Sequence, residues 1–128
     1  MNEQDVKIKK ENVFLTKSFA FAVKVVRTSQ SLIENKEYVL SKQLLRSGTA
    51  VGALIREAQN AESRADFIHK LAIAQEECDE TIYWLELLKE TNYLNESDFR
   101  NLKFGAEELL KMIRSSIITT KQKQSQKS

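Results

Sequence analysis

Apolar residues recur along this chain at alternating spacings of three and four, the pattern of helices that each bury one face. Four segments carry it. The first begins near Asn12, a suitable cap, and runs to about Leu32–Glu34 with Leu15, Phe19, Ala22, Val26 and Ile33 as its stripe. The second spans roughly Glu37 to Ala61 and presents Leu40, Leu44, Ser47, Val51, Ile55 and Ala58. The third is the most regular: Ser63 caps it, Asp66 follows in a capping-box-like position, and Phe67, Leu71, Ala74, Cys78, Thr81, Leu85 and Leu88 form one line. The fourth follows a cap at Asn95 or Ser97 and carries Phe99, Leu102, Ala106, Leu109, Ile113 and Ile117. The connections are short, so successive helices are predicted to be antiparallel neighbours in an all-α, up-down-up-down four-helix bundle. Residues 1–11 read as a flexible N-terminal arm, 12–120 as the bundle, and 121–128 as a disordered basic tail.

Three departures from the plain amphipathic pattern stand out. Gly48 and Gly52 lie four apart inside the second helix, where each glycine costs ~1 kcal/mol relative to alanine. Close approach of another helix explains such a pair; a kink or a break would also do so. Beside the core stripe of the same helix runs a second one, Arg46, Ala50, Ala53 and Glu57, which suits either contact with another helix or a solvated edge. On the third helix Ile73, Tyr83, Trp84 and Leu87 point away from the core line at 100° per residue. A second buried face there predicts a subunit interface and hence a homo-oligomer, half-exposed aromatic residues being the alternative.

Composition supports the helical reading: 128 residues contain no proline and three glycines, poor material for a turn-rich β fold. The net charge of +2 is too small to argue for nucleic acid, but its distribution is uneven. Residues 62–92 hold eight acidic and three basic side chains, leaving the excess of positive charge on the other helices and on the C-terminal tail. The polar start, the lack of an apolar run of ~20 residues and the lone Cys78 predict a cytoplasmic protein with no membrane contact and no disulfide.

A di-metal carboxylate site, a natural occupant of bundle cores, needs two Glu-x-x-His pairs. This chain has one histidine, and in Asp66-Phe67-Ile68-His69 the imidazole lies about 180° from the core line. Glu76, Glu77, Asp79 and Glu80 spread around their helix as a charged face, Cys78 belongs to the core, and Gly48–Gly52 lacks the lysine of a phosphate loop. No metal, no cofactor and no catalytic residues are expected, and the chain is read as a non-enzyme.

Two stretches resemble a known family, the bacterial four-helix bundle proteins named after the 23S rRNA intervening sequence. The first is Arg46-Ser47-Gly48-Thr49 with Val51-Gly52-Ala53, Ile55 and Glu57-Ala58; the second is Ser63, Asp66–Lys70, Ile73-Ala74, Glu77, Glu80-Thr81 and Tyr83-Trp84-Leu85. The resemblance runs from about Phe19 to Ile117, with Ala50 and Leu54 standing where the family usually has serine and asparagine. It implies a ring-shaped homopentamer of largely undefined function. A similar basic bundle protein assists a retroelement reverse transcriptase and contacts nucleic acid. The expectation is therefore an adaptor associated with RNA, DNA or a ribonucleoprotein, with Lys121, Lys123 and Lys127 as candidate contacts; the alternative is a protein-binding scaffold that touches no nucleic acid.

Overall fold

The structure, a computed structural model, describes residues 1–127; the side chain of Lys127 and the whole of Ser128 lie outside the described residues. It contains four helices, α1 (Glu3–Glu34), α2 (Val39–Gln59), α3 (Arg64–Glu90) and α4 (Glu96–Lys127), and no strand among the described residues. Each helix packs against the next in sequence, and α1 also meets α4, which closes a four-helix bundle.

Local chemistry sets the helix ends. The Ser63 hydroxyl accepts from the Asp66 N–H at 3.0 Å, while the Asp66 carboxylate accepts from the Glu62 N–H, so two orphan donors are satisfied reciprocally. Asn95, rather than Ser97, caps α4 by accepting from the Asp98 N–H at 2.8 Å. The turn after α1 closes with the Lys36 N–H on the Ile33 carbonyl and the Glu37 N–H on the Leu32 carbonyl, both at 2.9 Å. This closure needs a left-handed residue, usually glycine, and here Lys36 takes φ 64°. Asn92 does the same after α3 at φ 67°. The Glu37 side chain then accepts from the Leu40 and Ser41 N–H groups, serving α2, whose own cap residue Tyr38 makes no side-chain cap bond.

The helices run further than the apolar pattern implies. α1 starts at Glu3 instead of near Asn12, with the Asn2 side chain accepting from the Asp5 N–H and Glu3 and Asp5 at the positive end of the helix dipole. At the other end α4 continues helically through residues 121–127, a segment read from sequence as disordered. Neither stretch contains a glycine or proline to stop a helix, and hydropathy locates only the part of a helix that reaches the core.

The core lines of α3 and α4 follow those read from the sequence: Leu71, Ala74, Cys78, Thr81, Leu85 and Leu88 are buried, as are Phe99, Leu102, Ala106, Leu109 and Ile113, while Phe67 and Ile117 at the ends of the two lines are half-buried against the core. On α2, Leu44, Ser47, Val51, Ile55 and Ala58 are buried. α1 requires a correction. Its buried line is Phe14, Ser18, Phe21, Val25, Ser29 and Leu32, whereas Phe19, Val26 and Ile33 are exposed. The line contains two serines, which an apolar template passes over. Both are satisfied inside: Ser18 donates to the Leu15 carbonyl at 3.1 Å and Ser29 to the Ser41 carbonyl at 3.2 Å. On the neighbouring apolar line, one residue on, Leu15 and Ala22 are half-buried and the other three face outward.

Candidate functional site

The seams between helices carry what is distinctive in this molecule. At the α1–α2 seam the two glycines of α2 meet α1 at close range. A Cβ on Gly48 would lie 2.7 Å from Val25 Cγ1 and 2.8 Å from Cγ2, and one on Gly52 would lie 3.2 Å from the Ser18 carbonyl oxygen. α2 remains helical through both. On its outer side this seam opens into a groove of about 870 Å³ lined by Phe19, Ala22, Gly52 and Ala53, with Arg56 and Lys70 among its polar lining.

The α2–α3 seam is fixed by polar contacts. The Ser47 and Thr81 hydroxyls, both fully buried, lie 2.9 Å apart, and Thr81 also bonds the Glu77 carbonyl at 2.8 Å. A hydroxyl has one proton, so Thr81 donates to Glu77 and accepts from Ser47. Arg46 forks across the seam to Glu77 at 2.9 Å and Glu80 at 2.5 Å. The hydrogen bond from Arg46 to Glu80, reinforced by the charges of both acids, holds the guanidinium above its ordinary pKa. Further along, Lys70 reaches Glu57 at 3.6 Å. The resulting face is acidic: residues 43–57 and 70–84 together hold three basic and five acidic side chains.

The α1–α4 seam is built differently. Lys17 bridges to Glu108 at 2.9 Å, and Lys24 donates to the Asn101 side chain at 3.0 Å. Gly105 lies over the Phe21 ring, a Cβ there falling 3.1 Å from Cδ1. Asn101, Phe104 and Glu108 share one stripe of α4 at spacings of three and four. Phe104 therefore sits between the two lysine contacts, and it is 68% exposed. Arg27 and Lys111 extend the same two stripes and have no ion-pair partner among the described residues. Residues 17–27 and 101–111 together hold five basic and two acidic side chains, the reverse of the α2–α3 balance.

The residues expected from sequence at an oligomer interface are thus divided. Arg46 and Glu57 are engaged with α3 of their own chain, Ala50 is half-buried, and Ala53 faces the α1–α2 groove. On α3, Tyr83 is 57% exposed, Ile73 and Leu87 are half-buried, and Trp84 packs against the core with its ring edge-on to Tyr83 at 5.1 Å. The Trp84 indole N–H is buried without an acceptor among the described residues. Lys121 and Lys123 are exposed near the end of α4, where the Lys123 carbonyl accepts from Arg64 at 3.4 Å; the Lys127 side chain lies outside the described residues.

His69 is exposed on α3. The buried Cys78 thiol donates to the Ala106 carbonyl at 3.2 Å, and burial pushes its pKa up to about 12. It is a core residue, with little thiolate to offer as a nucleophile. Sequence reasoning missed Phe104, although the signal was present: this aromatic lies well off the α4 core line, the criterion applied to Tyr83 on α3.

The family model for the 23S rRNA-intervening sequence protein matches residues 10–115. The chain belongs to that family. A member of the S23 ribosomal protein family from Bacteroides thetaiotaomicron, a crystal structure described as of unknown function, is similar to it at 50% identity with a TM-score of 0.83. The similarity covers 84% of this chain and 97% of that one. Comparison with curated proteins finds no match. Family membership agrees with the four-helix bundle, and among the described residues no helix is long and apolar enough to cross a membrane.

Proposed function

We propose that this protein is a non-enzymatic, cytoplasmic homo-oligomer that associates with nucleic acid or a ribonucleoprotein as an adaptor. The observation that carries the nucleic-acid reading is the partition of charge: acidic side chains dominate the α2–α3 seam, and basic ones the α1–α4 seam. Within the subunit the helices run antiparallel, up-down-up-down. Contacts in which numbers rise on one helix as they fall on its neighbour support this: Ser47 with Thr81 and Glu57 with Lys70, then Lys17 with Glu108 and Lys24 with Asn101.

The oligomer is a ring. Apolar side chains are exposed on several sides, among them Phe19, Val26 and Ile33 on α1 and Tyr83 on α3. Joining two unlike faces gives a head-to-tail contact, which closes into a ring when the rotation permits. Five subunits follow from the family resemblance. Light scattering at micromolar concentration tests the assembly: a multiple of 14.7 kDa is expected, and the monomer mass refutes it.

Binding to RNA or DNA is electrostatic, so log affinity should fall linearly with log salt. Deleting residues 121–128 removes three lysines per chain and should lower both affinity and slope. The groove beside Phe19 favours a second reading, a scaffold for protein partners. A flat titration of the oligomer at ~50 mM salt, where phosphate contacts are strong, decides for that reading.

A further inference from the structure

The geometry points to the α1–α4 seam as a platform for single-stranded nucleic acid, on which Phe104 stacks a base while Lys24, Arg27 and Lys111 hold the phosphates. This inference rests on the nucleic-acid reading above and assigns it a site and a substrate class.

An aromatic ring 68% exposed at the middle of a helix needs an explanation that packing does not give. Phe104 adds nothing to the core cluster, and the α1 residue exposed at its level, Ala20, is too small to cover it. Its setting is electropositive on balance: Glu107, exposed one turn further along α4, and Glu108 stand against the five basic side chains of residues 17–27 and 101–111. Lys17 and Lys24 anchor α1 to α4 on either side of it, at Glu108 and Asn101. Glu108 is thereby neutralised, while the partner of Lys24 is an uncharged amide and leaves that ammonium's charge uncompensated. Asp98, the next acid towards the start of α4, is engaged at its helix cap by Asn95. Arg27 lies one turn beyond Lys24, and Lys111 two turns beyond Phe104, both exposed.

A π-face flanked by cations recognises stacked bases and phosphates together, the combination by which single strands are bound without reading their sequence. A duplex hides its base faces and leaves the ring nothing to stack on. A protein partner suits the surface less well, because lysine is depleted in protein interfaces. The apolar side chains on the α1–α2 and α3 faces leave this seam free in the proposed ring.

Fluorescence anisotropy of the full-length protein with a fluorescein-labelled 20-nucleotide single strand and its duplex, at ~50 mM salt, tests the assignment. The single strand should bind more tightly. Phe104→Ala should weaken its binding about tenfold or more while leaving the salt slope unchanged, and Phe104→Trp should restore it. Lys24→Ala, Arg27→Ala and Lys111→Ala should each lower the slope by ~0.7. Phe104 is exposed, so an unchanged melting curve confirms that the variant is folded. If the wild type binds but Phe104→Ala binds equally well, or the duplex binds as tightly, the platform is refuted while nucleic-acid association by the terminal lysines stands. If the wild type binds neither probe, the broader reading falls and this one with it.

Discussion

Helix α2 and the α1–α4 seam represent two ways of holding one bundle. α2 is gripped on both sides: by α1 through glycines that admit side chain and backbone at contact distance, and by α3 through a buried hydroxyl pair beneath an arginine fork. The α1–α4 seam has one glycine over a phenylalanine ring, two exposed lysine contacts and an aromatic that nothing covers. The difference teaches where structural specificity is concentrated. Around α2 each small or polar residue has one fit, so the register of three helices is set there. The other seam needs only to close the bundle, which leaves its outer surface free for a ligand.

Glycine substitution should separate the two regions most strongly. Gly48→Ala places a methyl against both γ-carbons of a buried, β-branched Val25. Overpacking of this kind should destabilise by about 2–3 kcal/mol even after alanine's gain in helix propensity. Gly105→Ala meets only the edge of the Phe21 ring at 3.1 Å, which yields with a few tenths of an ångström of movement. It should cost less than about 1 kcal/mol or stabilise slightly. Urea denaturation of both variants measures the contrast, and equal losses would abolish it.

A smaller effect should come from the buried hydroxyls. Thr81→Val preserves shape but strands the Ser47 hydroxyl in the core, at a cost of about 1–3 kcal/mol. Adding Ser47→Ala removes the stranded group, so the double variant should recover much of that loss. A double-mutant cycle showing simple additivity would mean the pair does not couple the helices.

The smallest expected difference is between the ion pairs. Arg46→Ala breaks a two-acid fork and should cost up to about 1 kcal/mol, whereas Lys17→Ala should cost a few tenths, near the floor for exposed pairs. Both losses should shrink at 0.5 M salt, roughly a Debye length below 5 Å.

How much of this was legible depended on how purely apolar each buried line is. The α3 and α4 lines consist almost wholly of apolar residues, with Thr81 as the exception, and could be read directly. The α1 line could not, because Ser18 and Ser29 fill positions where only a small side chain fits or a backbone carbonyl must be met. The helix ends were misjudged for a related reason: hydropathy reports contact with the core, while the helix itself continues wherever caps and propensity permit. Gly48 and Gly52 were conspicuous in the sequence because they are costly in a helix, but which helix approaches them, and that Val25 and Ser18 do so, required the structure. Arg46 and Glu57 were read as one stripe of possible outer contacts; the acids and the lysine that engage them are some 13 to 34 residues away, a distance no helical period spans.

The sequential order of packing, each helix against the next, has a kinetic consequence. Most contacts join segments close in the chain, a topology of low contact order associated with folding in microseconds to milliseconds. With no proline in the sequence there is no prolyl isomerisation to add a phase of tens of seconds. A chain of this design reaches its bundle quickly, so a slow, concentration-dependent phase in its refolding would report the assembly proposed above.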